Sequence, residues 1–527
     1  MSNNIAKSAL WITISEILFN LSGFVIHSVL GRFLGPADYG RYGIIITLTT
    51  MVIILIGNGI PTAMSKYISE YFETNLGMVK KIKSQAIILQ SILIGSITIL
   101  FFISIPLICR ALGDPTLIPL FRISTLIIPA FAAASFYFSY YTGLHKFNLQ
   151  AILKTLRSIF RIAFVIGLAY FWRVEGSIVG YIIAPGSVFL VAFLIDKFYI
   201  SPQLEKKSEA QINIARENSS GSFVPLSGTQ DNQIFPWKNL VNYAWQIIVF
   251  FLAYELLISI DLYLVKGILR DDNLTGIYNA ALTVGRIPYY IFYAMTVFLL
   301  PMISKSTAQN NHGETSKILG QSIRIMLLLL VPMVILMSVF AKPILIDFYG
   351  ARYAAGAFPM SILEYGVGFL TIFYVLSFAM NGAGKTKLVM KISIVGFVIN
   401  AILNYILIKK YSITGSAIAT TITSFIIMVW MLYYLWKDFG VLIKLKTLLK
   451  TLFAAALMYI ASLFFPKGEI SFIFWSIILF ALYLFILYLV KEIKREDLAI
   501  LRKIITRKKK ENVQEELSGN SSGEIMR

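Results

Sequence analysis

The sequence predicts an all-α polytopic membrane protein of about fourteen transmembrane helices, built as two parallel-repeat six-helix bundles plus a C-terminal helix pair. Three observations predict it. The 527 residues are 57% hydrophobic and only 14% charged, with a mean hydropathy of +0.75, which leaves too little polar surface to coat a water-soluble body. Apolar runs of roughly 20 residues recur along the chain, each long enough to cross a hydrocarbon core of about 30 Å as a helix. Separate stretches also repeat at a nearly constant offset.

In order, the spans are expected at 8–31, 41–63, 83–108, 116–142, 150–172, 176–199, 239–265, 275–303, 318–341, 355–381, 388–408, 414–436, 447–465 and 471–490. No small-residue cleavage site follows the first, so it is expected to stay in the protein. After it comes "LGRFLGPADYGRYGIII", from Leu30 to Ile46, where Gly35-Pro36 breaks a helix and Asp38 can cap the next. Gly40 and Gly43 in the same stretch let backbones approach closely. About 33 of the 47 Lys and Arg fall on the side holding both termini and about 11 on the other, with Arg122, Arg161 and Arg286 inside spans. Both termini are therefore expected in the cytoplasm and the chain in the cell membrane. Topogenic and lipid-headgroup charges account for the net +20, and no nucleic-acid partner is expected. A lone Cys109 excludes an internal disulfide and a cysteine-based metal site.

Shifted by 236 residues, "VLGRFLGPADYGRYGIIIT" lies over "VKGILRDDNLTGIYNAALT", pairing Val29 with Val265, Gly31 with Gly267, Gly40 with Gly276, Tyr42 with Tyr278 and Thr47 with Thr283. At 239, "EGSIVGYI" from Glu175 lies over "TGSAIATT" from Thr414, and Gly143 over Gly382. Six being even, both copies enter the membrane in the same direction, so an axis along the membrane normal should relate bundles 1–200 and 239–440 with a cavity between them. Outside the repeat lie the helix pair of 441–490, a polar stretch at 201–238 expected as a flexible cytoplasmic linker, and a basic tail at 491–527. In the tail, Leu498, Leu501 and Ile505 recur at helical spacing, as in a helix that lies on the inner leaflet or docks a partner.

A charge in mid-span costs about 2.5 to 3.5 kcal/mol on insertion scales, so intramembrane ionisable residues are the informative ones. In the fifth span Lys154, Arg157 and Arg161 stand at i, i+3 and i+7, a basic ladder on one face. Lys154 and Arg157 are either functional or snorkel to the headgroups, whereas Arg161 is too deep for that. Arg286 is near the middle of the eighth span, and Arg122 is shallower in the fourth. The candidate anion-binding set is thus Arg161, Arg286, Arg157 and Arg122, because a guanidinium offers phosphate oxygens a fork of donors. Glu16, Glu255, Asp261 and Glu364 carry the opposite sign. They either pair with the arginines or bind H⁺ or Na⁺ as ion-coupling or gating residues. No other cofactor and no structural metal is expected.

Two short motifs mislead. "MNGAGKTK", Met380 to Lys387, imitates a phosphate loop, but Ala379 stands where its first glycine belongs and an apolar helix precedes it. The sequon Asn273-Leu274-Thr275 falls in an external loop and is too short to be specific.

"GRFLGPADYGRYG", and "GIYNAALTVGRIP" in the second half, resemble the signature of the polysaccharide and oligosaccharide flippases of the multidrug/oligosaccharidyl-lipid/polysaccharide exporter superfamily. The resemblance covers nearly the whole chain. It implies two bundles alternating between inward-open and outward-open states to move a glycan linked to a polyprenyl phosphate or pyrophosphate. It also implies a basic central cavity, which here points to Arg161 and Arg286. Partners implied are the lipid-linked glycan, membrane lipids and glycan-assembly enzymes. The four deep acids depart from a purely cationic cavity, and a cation-coupled multidrug antiporter of the same superfamily is the alternative that would make them central. A membrane glycosyltransferase or polymerase would need catalytic acids and sugar contacts in a large external loop. The external loops look shorter than about twenty residues, so no enzyme is expected.

Overall fold

Helices and turns build the whole described chain, in a computed structural model that describes residues 2–492 except 58, 220–234, 310, 442–443, 467 and 469–470. The first half holds α1 (Ser2–Leu34), α2 (Pro36–Gly57), α3 (Ile60–Tyr71), α4 (Leu76–Ala111), α5 (Ile118–Ser124), α6 (Ile127–Gly143) and α7 (Phe147–Ile195). After α8 (Ser201–Ser219), the second half holds α9 (Trp237–Leu269), α10 (Asp272–Gly285), α11 (Ile287–Ala308), α12 (His312–Val339), α13 (Ala341–Tyr349), α14 (Ala357–Gly382) and α15 (Thr386–Phe439). The pair α16 (Leu445–Ser462) and α17 (Ser471–Leu489) follows. Ten stretches of the described residues are long and apolar enough to cross a membrane. Two of them, α7 and α15, reverse direction at a backbone break, and α9 and the α10–α11 pair add their own passages, which reproduces the expected count of about fourteen.

Duplication is written in the backbone. His145 (φ 57°) and Gly384 (φ 77°) take the left-handed conformation just before α7 and α15, and they are one repeat apart. So are Arg173 (φ 47°) and Ser412 (φ 54°), where those helices fold back on themselves. The reversals are tight: a Cβ on Gly176 would lie 2.0 Å from the Leu168 carbonyl oxygen, and one on Gly415 2.0 Å from that of Leu407. Only glycine fits either place.

The halves meet along α2 and α10. A Cβ on Gly40 would lie 2.2 Å from the Asp272 carbonyl oxygen, and one on Gly276 1.8 Å from that of Pro36. Pro36 and Asp272 are themselves one repeat apart, so this contact is its own image under the pseudo-two-fold axis, as in an isologous interface. Around it Tyr39, Tyr42, Tyr278, Tyr349 and Tyr353 are buried in one core shared by both halves.

One expectation needs correction. The stretch from Ser201, expected as the start of a flexible linker, continues as α8 to Ser219. Pro202 sits in its first turn, where a missing N–H costs nothing, and the ion pairs Lys83–Asp196 (2.5 Å) and Lys80–Glu205 (2.8 Å) fix its base to α4. Polarity there marks an exposed helix rather than an absent one. Beyond the repeat, α16 lays Thr447, Thr451, Ala454, Ala455 and Met458 into the protein, and Glu492 accepts from Thr447 Oγ1 (2.9 Å) and Arg324 Nε (3.2 Å). The tail expected as an amphipathic helix lies past Glu492, outside the described residues.

Candidate functional site

The basic ladder of α7 faces α1, and its three members have different fates. Lys154 forms an ion pair with Glu16, a partner other than the arginines expected for that acid. Arg157 is 5% exposed, its guanidinium packed over the rings of Phe19 (4.3 Å), Phe131 (4.8 Å) and Phe138 (4.8 Å), so it is caged rather than presented. Arg161 reaches further: Nη2 donates to the Phe19 carbonyl (2.6 Å) and Ser22 Oγ (2.5 Å). Gly23 leaves it room, since a Cβ there would stand 3.2 Å from Nη2. Arg122 is exposed and lies over Phe102, apart from this group. Depth along a span is countable in a sequence; the face on which a side chain emerges is not, and the structure does not bring Arg122 together with the other three.

In the second half, Arg286 occupies the junction of α10 and α11, where its Nη2 donates to the Ile258 carbonyl of α9. Its charge acts on Glu255 and Asp261 of the same helix. Glu255 accepts from Ser259 Oγ (3.2 Å). Asp261, 1% exposed, accepts from the Leu262 amide (2.7 Å), Tyr278 Oη (3.0 Å) and Thr420 Oγ1 (3.3 Å). Glu364 is fully buried on α14, close to Gly285, and neither carboxyl oxygen has a hydrogen-bond partner. Among the described residues, Glu364 is thus the one acid of the four with no hydrogen-bond partner on either carboxyl oxygen.

Arg161 and Arg286 come from opposite halves and converge. Both act electrostatically on His27 of α1 and on Tyr290 of α11. Tyr290 itself is 42% exposed. Neither His27 nor Tyr290 stands out in the sequence, because neither residue type carries the obligate charge that makes a mid-span Arg or Glu costly. The signal was available in the scarcity of histidine, with three in the whole chain and one in the first span.

At the face bearing the α1–α2 hairpin the halves are fastened together. Arg32 Nε donates to the Phe348 carbonyl (3.2 Å), Ser28 Oγ to the same oxygen (2.8 Å), and Tyr353 Oη to the Gly31 carbonyl (2.8 Å). Arg41 pairs with Asp272 (2.8 Å), and Lys266, 2% exposed, is held by Asp114 (2.8 Å) and Asp272. The cleft lined by Arg32, Asp347, Tyr349 and Arg352 is the mouth outside this seam, and that lined by Lys83, Tyr137, Asp196 and Lys197 is beside α8; neither contains the arginine pair. Burial pushes the Asp114 carboxyl up, but hydrogen bonds from Lys266 and Thr116 and the Lys266 charge outweigh it and hold Asp114 below its usual range. Its contribution is then complete above the ordinary carboxylate value of about 3.9 and is lost only as pH falls through the lower folded value. The seam should hold unchanged from about pH 5 to 8, whereas Asp114→Asn, by leaving buried Lys266 short of one partner, loosens it at every pH. Spin-label distances across the seam check both expectations.

Residues 5–307 match the family described as polysaccharide biosynthesis protein, and residues 247–406 match the MatE family. An uncharacterized membrane protein of Methanocaldococcus jannaschii is 23% identical over 80% of this chain and 95% of its own length. Stage V sporulation protein B of Bacillus subtilis is 24% identical over 78% of this chain and 80% of its own. Among solved structures, the lipid II flippase MurJ in an inward closed conformation superposes with a TM-score of 0.69 at 19% identity, covering 90% of this chain and 98% of that one. That likeness is one of fold.

Proposed function

Because this chain belongs to the polysaccharide biosynthesis protein family, we propose that it is a flippase carrying a lipid-linked oligosaccharide or polysaccharide precursor across the cell membrane by alternating access. One arrangement carries the reading: the guanidinium groups of Arg161 and Arg286, from opposite halves, both stand near enough to His27 and Tyr290 for their charges to be felt there. Two guanidinium forks from different halves suit the phosphate or pyrophosphate of a polyprenyl carrier, and that origin would let the halves close on it or release it. The distribution of Lys and Arg puts the hairpin face outside and both termini in the cytoplasm, so the fastened seam is the external gate. Similarity to a lipid II flippase agrees with a lipid-linked substrate. The carrier lipid and any glycan-assembly enzymes docking at the cytoplasmic face belong to the same proposal.

Glu255, Asp261 and Glu364 are then the first candidates for H⁺ or Na⁺ coupling, with Glu16, paired to Lys154, the fourth. The MatE match gives the antiporter reading its support, because residues 247–406 contain all three of these acids. It does not contain Arg161, half of the cationic pair, and this favours the flippase. The activity is transport without chemical change of the substrate.

Proteoliposomes holding a fluorescent polyprenyl-pyrophosphate oligosaccharide test the reading. The wild type should expose the label to an external quencher faster than empty vesicles do. Arg161→Gln, which removes a charged hydrogen-bonding group contributing about 1.5 to 3 kcal/mol, should slow exposure about 10- to 150-fold. Equal rates in protein-containing and empty vesicles would end the proposal.

A further inference from the structure

We infer that Phe235 and the first three turns of α9 latch the cytoplasmic gate against α3, at the face opposite the fastened seam; this rests on the flippase reading above. By the repeat α9 opens the second half, yet its beginning is seated in the first. Phe235, Leu240 and Ala244 are buried in a core that α3, α4, α6 and α7 build. The Phe235 ring stands edge-on to Tyr67 and Tyr71 of α3, with centroids at 5.0 and 6.4 Å, and its carbonyl accepts from Gln85 Nε2 of α4 (2.9 Å). Pro236, extended at the N-cap, turns the chain from that seat into α9. Further along the same contact is Gly59, just ahead of α3. A Cβ there would stand 3.5 Å from the Ala244 Cβ and 2.6 Å from Ile248 Cδ1.

The contact has the position and the chemistry of a gate. Running from the hairpin, α2 leads into α3 on the far side, while α9 begins beside α3 and ends at the seam, where Lys266 is held. The two fastenings therefore lie at opposite ends of the same spans, and a substrate entering from the cytoplasm parts α3 from α9 while α2 and α10 stay together. They also differ in kind. The external seam is held by ion pairs and hydrogen bonds, the cytoplasmic one by aromatic and aliphatic surface with a single hydrogen bond to the Phe235 carbonyl. Unseating Phe235 exposes that apolar surface, so the gate rests closed until bound substrate holds the halves apart. The hinge is local: α2 stops at Gly57 and α3 starts afresh at Ile60, with Pro61 in its first turn, so α3 can swing without unwinding α2.

The test uses the full-length chain in proteoliposomes, with the buried native Cys109 replaced by alanine. Gly59→Cys with Ala244→Cys sets two Cβ atoms 3.5 Å apart, once the end of the Ile248 side chain turns aside. Disulfides need about 3.5 to 4.5 Å, so mild oxidation should join them. Joining α3 to α9 should slow quencher exposure of the fluorescent polyprenyl-pyrophosphate oligosaccharide at least about tenfold against the same pair reduced, and reduction should restore it. A second readout addresses Phe235 itself. With Ala244→Cys alone, a membrane-impermeant maleimide should react about tenfold faster when Phe235→Ala is added, and Phe235→Leu should fall between. A disulfide that does not form, one that forms without slowing transport, or equal labelling with phenylalanine and alanine would overturn the inference and leave the flippase reading intact. Exposure by the wild type no faster than in empty vesicles would instead end the flippase reading, with the labelling rates still deciding whether Phe235 latches α9.

Discussion

Replacing Arg286 by glutamine is expected to cut translocation about 10- to 150-fold while the protein still inserts, because a charged hydrogen-bonding group contributes about 1.5 to 3 kcal/mol and each 1.36 kcal/mol is tenfold in rate. Arg286 has two duties that the variant removes together. Its Nη2 ties the start of α11 to the Ile258 carbonyl of α9, and its charge is near enough to Glu255 to be felt there. Arg286→Lys keeps the charge without the planar fork and should fall between wild type and glutamine. Combining Arg286→Gln with Glu255→Gln separates the duties. If the arginine serves to neutralise the acid, the double variant recovers transport; if it holds the substrate anion, the double variant stays as slow as the single. The flippase reading requires the second result, read in the same quenching assay, and recovery would return the site to the antiporter alternative.

The parts of this arrangement that were legible in the sequence are those with a large local cost. Mid-span charge is expensive, so Arg161 and Arg286 could be named before any fold was known. Glycines at a fixed offset betrayed the duplication, and Gly40 with Gly276 proved to be the point where the copies touch. Partner identity was less legible, because it depends on which helix lies opposite. Glu16 met Lys154 on α7, whereas Glu364 met no hydrogen-bond partner among the described residues, although both read alike as buried acids. Arg157 and Arg122 show the same limit: each is basic and within a span, yet three phenylalanine rings enclose one and the other turns outward. The reversals at Arg173 and Ser412 carried no shared residue type, since a left-handed φ is tolerated by both when the flanking helices pack so closely.

Gly276→Val is expected to cost more stability than any other single change at the interface of the halves. A Cβ at Gly276 would sit 1.8 Å from the Pro36 carbonyl oxygen, and real Cβ atoms essentially never come within 3.0 Å of another atom, so α2 and α10 must part by about 1 Å. The obstacle is backbone, which no rotamer change can move aside. Parting the helices loosens the shared tyrosine core and pulls on the Arg41–Asp272 pair beside it. Overpacking of this kind costs about 1 to 3 kcal/mol for a methyl group and more for valine, enough to lower an apparent melting temperature by several degrees. Gly40→Ala strikes the same contact from the other side, at 2.2 Å from the Asp272 carbonyl oxygen. Once either Cβ has separated the helices, the second meets less resistance, so Gly40→Ala with Gly276→Ala should cost clearly less than the two single changes together. Gly167→Ala and Gly186→Ala, where an added Cβ meets nothing within 4 Å, serve as controls and should melt at or slightly above the wild type. Full additivity of the pair, or Gly276→Val melting with the controls, would mean that the bundles do not meet on these glycines, and the pseudo-two-fold pivot on which alternating access depends would have to lie elsewhere.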